Sequence, residues 1–391
     1  METVSDQPVV LEVTTLASSG PGSLRAALTD PRPRLVVFEV GGVIDLEGKP
    51  ISVKTPHLTL AGQTAPDPGI TVIRGGVSVQ THDVLIQHIA VRPGDGGPAP
   101  SAPDALGVVN GYDVVFENCS ATWAVDENLS VSGPADVEGE GKTSHDVTLR
   151  RCLIAEGLSK ATHPKGEHSK GTLVHDGVRN VTIEGCLYAH NRERNPRLKG
   201  GSSATVIDSV MYDWGSACVG VGARGNAKML TPATAVLAGN VAIAGPDTKT
   251  KVFVKSVDPG GRVFLRDNLA FDVDGTPLPL TDKNVTLLPS PPTPLRNSRP
   301  LEAMARVLRT AGSRPARRDP IDARIVQSVI EGTGGLVDTQ GAYPVRVATR
   351  RVLSVPSGPL ARQRFLDAFS AQLSTADLDV SALNARLARG D

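Results

Sequence analysis

The sequence predicts an all-β protein: a right-handed, single-stranded parallel β-helix with a short N-terminal capping helix and a partly helical C-terminal tail. Three observations carry this. A seven-residue pattern recurs nine times between His57 and Ser290. Within each copy apolar and polar residues alternate, the period of a strand with one buried face. Aromatic residues make up only 3% of the chain, while glycine (40) and proline (30) together approach a fifth of its 391 residues, above the usual ~12%. A core of that composition is built from Val, Ile, Leu and Ala on many short strands punctuated by turns.

The elements follow in chain order. "SGPGSLRAALTD", Ser19 to Asp30, reads as a Gly/Pro turn, Ser23 as N-cap and one short amphipathic helix that covers the first coil. The repeats then run "HLTLAGQ" from His57, "DVLIQHI" from Asp83, "DVVFENC" from Asp113, "DVTLRRC" from Asp146 and "NVTIEGC" from Asn180. Weaker copies are "SATVIDS" from Ser203, "TAVLAGN" from Thr234, "RVFLRDN" from Arg262 and "NVTLLPS" from Asn284. No leucine-rich consensus and no helical periodicity accompanies them, so stacked coils with loops of variable length fit best. The seventh positions are Gln63, Ile89, Cys119, Cys152, Cys186, Ser209, Asn240, Asn268 and Ser290. That column is expected to form an internal ladder of small polar side chains. After residue 290 the texture changes to "SPPTPLRNSRP" and then to segments of helical spacing such as "LEAMARVLRTAG" and "PIDARIVQSVIEGTG". The expected division is a β-helix over 8–290 and an extension over 291–391 that packs on the solenoid, its arginines facing acids or water.

Charge and cysteine content bound the function. The 41 Lys+Arg balance 41 Asp+Glu, so no global field draws the chain to nucleic acid or to a membrane. No apolar run reaches 18 residues, and "METVSDQPVV" has neither the basic nor the apolar part of a secretion signal. The four cysteines, Cys119, Cys152, Cys186 and Cys218, form no C-x-x-C pair, and are expected as small buried thiols rather than zinc ligands or disulfides.

Counting from the start of each coil places Asp126, Lys160 and Arg194 at similar points on three consecutive coils, with Asp104 in the loop before them. At about 4.8 Å per coil, Asp126 and Arg194 would stand about 10 Å apart. An acidic edge (Asp104, Asp126, Glu127) would then face a basic edge (Lys160, Arg194, Lys199). Oxygen donors of that kind suit a hard cation such as Ca²⁺, and the cations suit a carboxylate. Taken singly, each residue is an ordinary solvated one, and His163, His168 and His175 have no regular metal spacing. Their coincidence on neighbouring coils marks the site.

"VTTLASSGPGSLRAAL", "LTLAGQTAPDPGITV", "VLIQHIAVRPGD", "WAVDENLSV" and "RERNPRLKGG" resemble, in that order, the family 1 polysaccharide lyases, the pectate lyases. The likeness runs from about Val13 to about Asn268 and leaves out the tail. It implies a secreted or periplasmic β-helix, expected to be monomeric, that cleaves an acidic polysaccharide, α-1,4-polygalacturonate, by Ca²⁺-dependent β-elimination. The family's R-x-P-x-x-(R/K) pattern falls on Arg194, Pro196 and Lys199. Arg194 takes the place of the catalytic base and Lys199 that of the cation on the uronate carboxylate, with Arg197 inside the same motif. Asp104 and Asp126 match calcium ligands, joined by Glu127. The groove lysine falls on Lys160, with Lys165 second and Lys170 competing; Lys170, His163 and His168 are expected to touch substrate. Two departures stand out. Ala102 and Ser130 occupy positions where the family carries further acids, for which Glu127 or Asp95 would compensate. A glycoside hydrolase, a non-catalytic glycan binder and a lyase for another uronate remain as alternatives.

Overall fold

The computed structural model describes residues 8–95, 102–134, 142–223, 231–291, 295–344 and 348–387. The opening "METVSDQ" and much of the loop from Gly133 to His145 lie outside these residues. Strands from Val9–Val13 to Thr286–Leu287 wind into three parallel sheets of eleven, eight and ten members, the last closed by one antiparallel strand, Thr349–Arg350. Each coil gives one strand to each sheet, the arrangement of a parallel β-helix.

The repeats build the eleven-stranded sheet. Leu58, Val84, Val114, Val147, Val181, Ala204, Ala235 and Val263 pair in one line, and all are buried. The corners explain the rest of the pattern. Asp83, Asp113, Asp146 and Asn180 open their copies at φ of 53°, 51°, 52° and 55°, a left-handed conformation in which Asp and Asn are enriched. The sixth position turns the same way, at Asn118, Arg151 and Asp208 and at Gly185 and Gly239, where glycine adopts it without strain.

The expected ladder forms. The backbone N–H of Cys152 donates to Cys186 Sγ at 3.4 Å, Cys186 to Ser209 Oγ at 3.1 Å, Ser209 to Asn240 Oδ1 at 3.0 Å and Asn240 to Asn268 Oδ1 at 3.1 Å. The four cysteines are free and buried. Cys218 stands outside this ladder, beside the strand Val219–Val221. One expectation needs correcting. The ninth copy is out of register by two residues: Arg262 pairs with Thr286 rather than Asn284, and Ser290 is exposed.

Ser23 caps the helix Leu24–Leu28 by accepting from Ala26 N at 3.2 Å, and Leu24, Ala27 and Leu28 close the N-terminal end of the core. The ten-stranded sheet is apolar on both faces. Ile154, Tyr188 and Met211 fill the solenoid while Leu153, Leu187 and Val210 face out. Each of those side chains contributes about 1.5–3 kcal/mol only when covered. The helices Pro300–Thr310 and Pro320–Glu331 cover them with Met304, Leu308, Ile325 and Val329. Buried Arg92 fastens this layer through Asp319 at 2.8 Å and Asp322 at 2.7 Å. Tail arginines find solenoid acids, Arg306 on Asp208, Arg314 on Asp67 and Arg324 on Glu156. No helix among the described residues is long and apolar enough to cross a membrane.

Candidate active site

The eight-stranded sheet carries a cavity of about 670 Å³ on its outer face, lined by Asp104, Asp126, Glu127, Ser130, Lys165, Leu173, His175, Arg194, Arg197, Lys199 and Asp258, among others. Strand pairing sets its floor. Gly107, Ser130, Leu173, Arg197 and Gly220 lie in one row across five coils. Within that row the inward neighbours, among them Val108, Leu129, Val131, Val174 and Leu198, belong to the core, so the alternation that packs the solenoid also aims the row outward.

The three expected acids meet at one edge. Asp104, Asp126 and Glu127 each offer an oxygen within 4.8 Å of the others. Asp104 Oδ1 accepts from the Glu127 backbone N–H at 3.0 Å and Oδ2 from Ser130 Oγ at 2.5 Å. Burial, helped by the Asp126 charge, pushes Asp104 up to about 7. Asp126 moves the other way. Burial opposes its ionisation, but the hydrogen bond and charge of His168 outweigh this and hold it below the usual carboxylate range. An all-oxygen set of three carboxylates fits a hard divalent cation.

The cation-rich stretch from His190 to Gly201 adds Arg194, Arg197 and Lys199 to the same lining. Each of its four cations faces an acid from elsewhere in the chain: Arg192 on Glu167, Arg194 on Glu127, Arg197 on Asp258 at 2.8 Å and Lys199 on Asp176 at 3.0 Å. Burial is the main reason that Arg194 is pushed down to about 10, with Arg197 adding to it and the charges of Asp126 and Asp104 opposing. A buried amide chain fixes these acids and cations against each other. Asn128 Nδ2 donates to Asn191 Oδ1 at 2.9 Å, and Asn191 Nδ2 to Asn195 Oδ1 at 3.1 Å. Asn128 adjoins Glu127, and Asn195 adjoins Arg194, so both groups share one rigid support.

The remaining expected residues scatter. Lys160, expected in the groove by residue count, has a side chain 68% exposed and pairs with Asp338 of the tail at 3.1 Å, outside the cavity lining. The paired register puts Lys170 on the coil between Glu127 and Glu193. That lysine is buried against Glu193, outside the cavity lining. Lys165 lines the cavity. His163 and His168 sit on Asp126 rather than in the lining. Asp95 bonds Thr162 at 2.5 Å and takes no part in the acid cluster. Sequence reasoning missed Asp176, Asp258, His175 as a lining residue, and the Asn128–Asn191–Asn195 chain. Only the adjacency of Asn128 and Asn195 to singled-out charges hinted at the last.

No family model matches the chain. Curated relatives do. A probable pectate lyase C from Aspergillus fumigatus is 32% identical over 346 residues, covering 85% of this chain and 75% of the relative. Its namesake from Aspergillus flavus is 34% identical over 273 residues, covering 69% of this chain and 58% of the relative. The chain thus spans between 58% and 75% of these two relatives' length. Among solved structures, a pectate lyase bound to hexasaccharide superposes with a TM-score of 0.54 at 12% identity, over 78% of this chain and 92% of that one. The major allergen of cedar pollen gives 0.52 at 13% identity, over 76% and 86%. These two establish the likeness of fold. The sequence relation to the Aspergillus fumigatus protein goes further, and by it the chain belongs to the pectate lyase family.

Proposed function

We propose that the chain is a pectate lyase that cleaves α-1,4-polygalacturonate by calcium-assisted β-elimination, releasing 4,5-unsaturated oligogalacturonides. The observation that carries this reading is the cavity in which Arg194, largely buried, stands with three clustered carboxylates and further cations. Arginine in water is already protonated near neutrality and has no place for a further proton. Burial here moves it toward the range where a neutral fraction exists.

In the proposed reaction Lys199 and Arg197 bind and neutralise the uronate carboxylate, making the C5 proton more acidic. Arg194 accepts that proton. The C5–H electron pair becomes the C4–C5 double bond, and the C4–O bond breaks with its pair leaving on oxygen, which takes a proton from solvent. Lys165 stands in the same cavity as a further cation for the charge that develops. Asp104, Asp126 and Glu127 would hold Ca²⁺, which supplies Lewis-acid neutralisation of substrate carboxylates when bound. A hydrolase would instead need one carboxylic acid at the leaving oxygen and a second carboxylate across the sugar; these three stand together on one edge. Because the polymer cannot cross a membrane, the enzyme would act outside the cell, as a monomer.

The test is the ultraviolet absorbance of unsaturated product from a panel of uronate polymers, with and without EDTA. Activity on polygalacturonate that calcium restores supports the reading. Arg194→Lys keeps the charge but loses the planar fork, and is expected to lower turnover about 10²- to 10⁴-fold while substrate binding survives. Wild-type turnover in that variant would remove Arg194 from the role of base.

A further inference from the structure

Asp126 is gripped by a pair of rings that the proposed mechanism does not use. Its Oδ1 accepts from His168 Nε2 at 2.6 Å, and its Oδ2 lies 3.6 Å from His163 Nε2. The two imidazoles stack with centroids 3.6 Å apart, 13° from parallel. Their side chains are only 6% and 2% exposed. Asp126, His163 and His168 also bring ligand atoms within 4.8 Å of one another. Two roles therefore compete: a transition-metal site of two histidines and a carboxylate, or a pair of donors that hold the carboxylate.

His163 decides between them. Its Nδ1 faces the backbone N–H of Lys165 at 3.1 Å and must accept from it. The lone pair is then on Nδ1 and the proton on Nε2, directed at Asp126. A protonated ring nitrogen has no pair for a metal, so His163 is not a ligand; its Nε2 makes a polar contact with Asp126 at 3.6 Å and backs His168 by stacking. A carboxylate has about four lone-pair positions. The imidazoles occupy at most two, which leaves Asp126 two for a cation. Asp104 is held in the same manner, by Glu127 N and Ser130 Oγ.

We infer that His163 and His168 are positioning residues for the cation site, holding the Asp126 carboxylate in place as a ligand. The inference rests on the proposed lyase reading, in which that carboxylate cluster holds calcium. A ligand already immobilised loses less freedom when the ion arrives.

Calorimetric titration of the whole chain with CaCl₂ alone, without substrate, tests it. His168→Ala is expected to weaken calcium binding by about tenfold or more, the usual effect of removing a partner that orients a ligand. His168→Gln restores an N–H donor and is expected to stay within about threefold of the parent. Turnover of polygalacturonate by His168→Ala should recover to within about threefold at saturating calcium, because the histidine touches no reacting atom. His163→Ala, with the same expected direction, serves if His168→Ala does not fold. Equal calcium affinity in parent and alanine variants, or no calcium binding by the parent, overturns the inference. So does ZnCl₂ binding tighter than calcium and lost in His168→Ala, since the rings would then be ligands. A parent that binds calcium as expected but cleaves no uronate polymer sinks the lyase reading alone.

Discussion

His88 ties the stability of the protein to pH. It occupies the sixth position of its repeat at φ 57°, is 3% exposed, and its Nδ1 donates to the Ser313 carbonyl of the tail at 2.8 Å. Burial is the main cause that pushes it down to about 4 from 6.5. The unfolded chain therefore takes up a proton as pH falls below about 6.5, while the folded chain refuses it until about 4. Stability contributed by neutral His88 is complete above about 6.5 and drains away as pH falls toward 4. At 1.36 kcal/mol per unit, the shift is worth about 3 kcal/mol. With an unfolding entropy near 2.1 cal/mol/K per residue, that is a melting shift of about 4 °C for this chain. The next coil supplies the control. Asn118 holds the equivalent corner and donates from Nδ2 to Thr310 O at 2.7 Å, so His88→Asn keeps both the left-handed backbone and a donor but cannot titrate. Melting of parent and His88→Asn between about pH 4 and pH 7.5, read by calorimetry, should give curves that converge or cross as the parent loses about 3 kcal/mol more. Parallel pH dependence in the two proteins would refute the buried neutral histidine.

Other expectations concern the site and the core. Lys165→Ala is expected to lower polygalacturonate turnover by about tenfold or more, whereas Lys160→Ala, which removes only an exposed pair with Asp338, should stay within about twofold; the reverse order would return Lys160 to the groove. Asn240→Ala leaves the buried Ser209 N–H and Val206 carbonyl without the partners they have at 3.0 and 2.9 Å. It should cost about 2–5 kcal/mol by chemical denaturation, and a change below about 0.5 kcal/mol would mean that the ladder is ornamental.

The fold was legible because the chain's corners, as well as its strands, constrain residue type. A left-handed corner favours Asp, Asn or Gly, a strand favours alternation, and an interior column favours small polar groups, so three independent demands repeat in phase. The ninth copy shows the limit: "NVTLLPS" satisfies alternation, yet Ser290 is exposed and the register slips by two. At the site, Asp104, Asp126, Glu127, Arg194, Arg197, Lys199 and Lys165 do meet in one cavity. Lys160 lies outside that lining, because counting along the chain assumes loops of one length. The coil that starts at Asp146 carries a long excursion between Ala155 and Lys170, and the strand register recovers only at Lys170. Partners such as Asp176 and Asp258 were invisible for a related reason: they lie 23 or more residues from the cations they neutralise, and nothing local distinguishes them from surface acids.

Those partners bear on how an acidic polymer would bind. Each cation from Arg192 to Lys199 already has a carboxylate, so substrate must exchange with the protein's own acids rather than meet bare charge. The exchange is not equally easy along the groove. Arg197 and Asp258 keep 21% and 18% of their side-chain exposure, whereas Asp176 beneath Lys199 keeps 1%. A partly exposed pair is worth at most about 1 kcal/mol, while drawing a cation away from a buried carboxylate costs more. Arg197 is therefore the cation that a uronate can recruit cheaply, and Asp258 its competitor within the same cavity. Asp258→Asn should lower KM for polygalacturonate about two- to fivefold at low ionic strength, with kcat unchanged and the gain lost in high salt. An unchanged or higher KM at low salt would show that Asp258 orients Arg197 for substrate instead of withholding it.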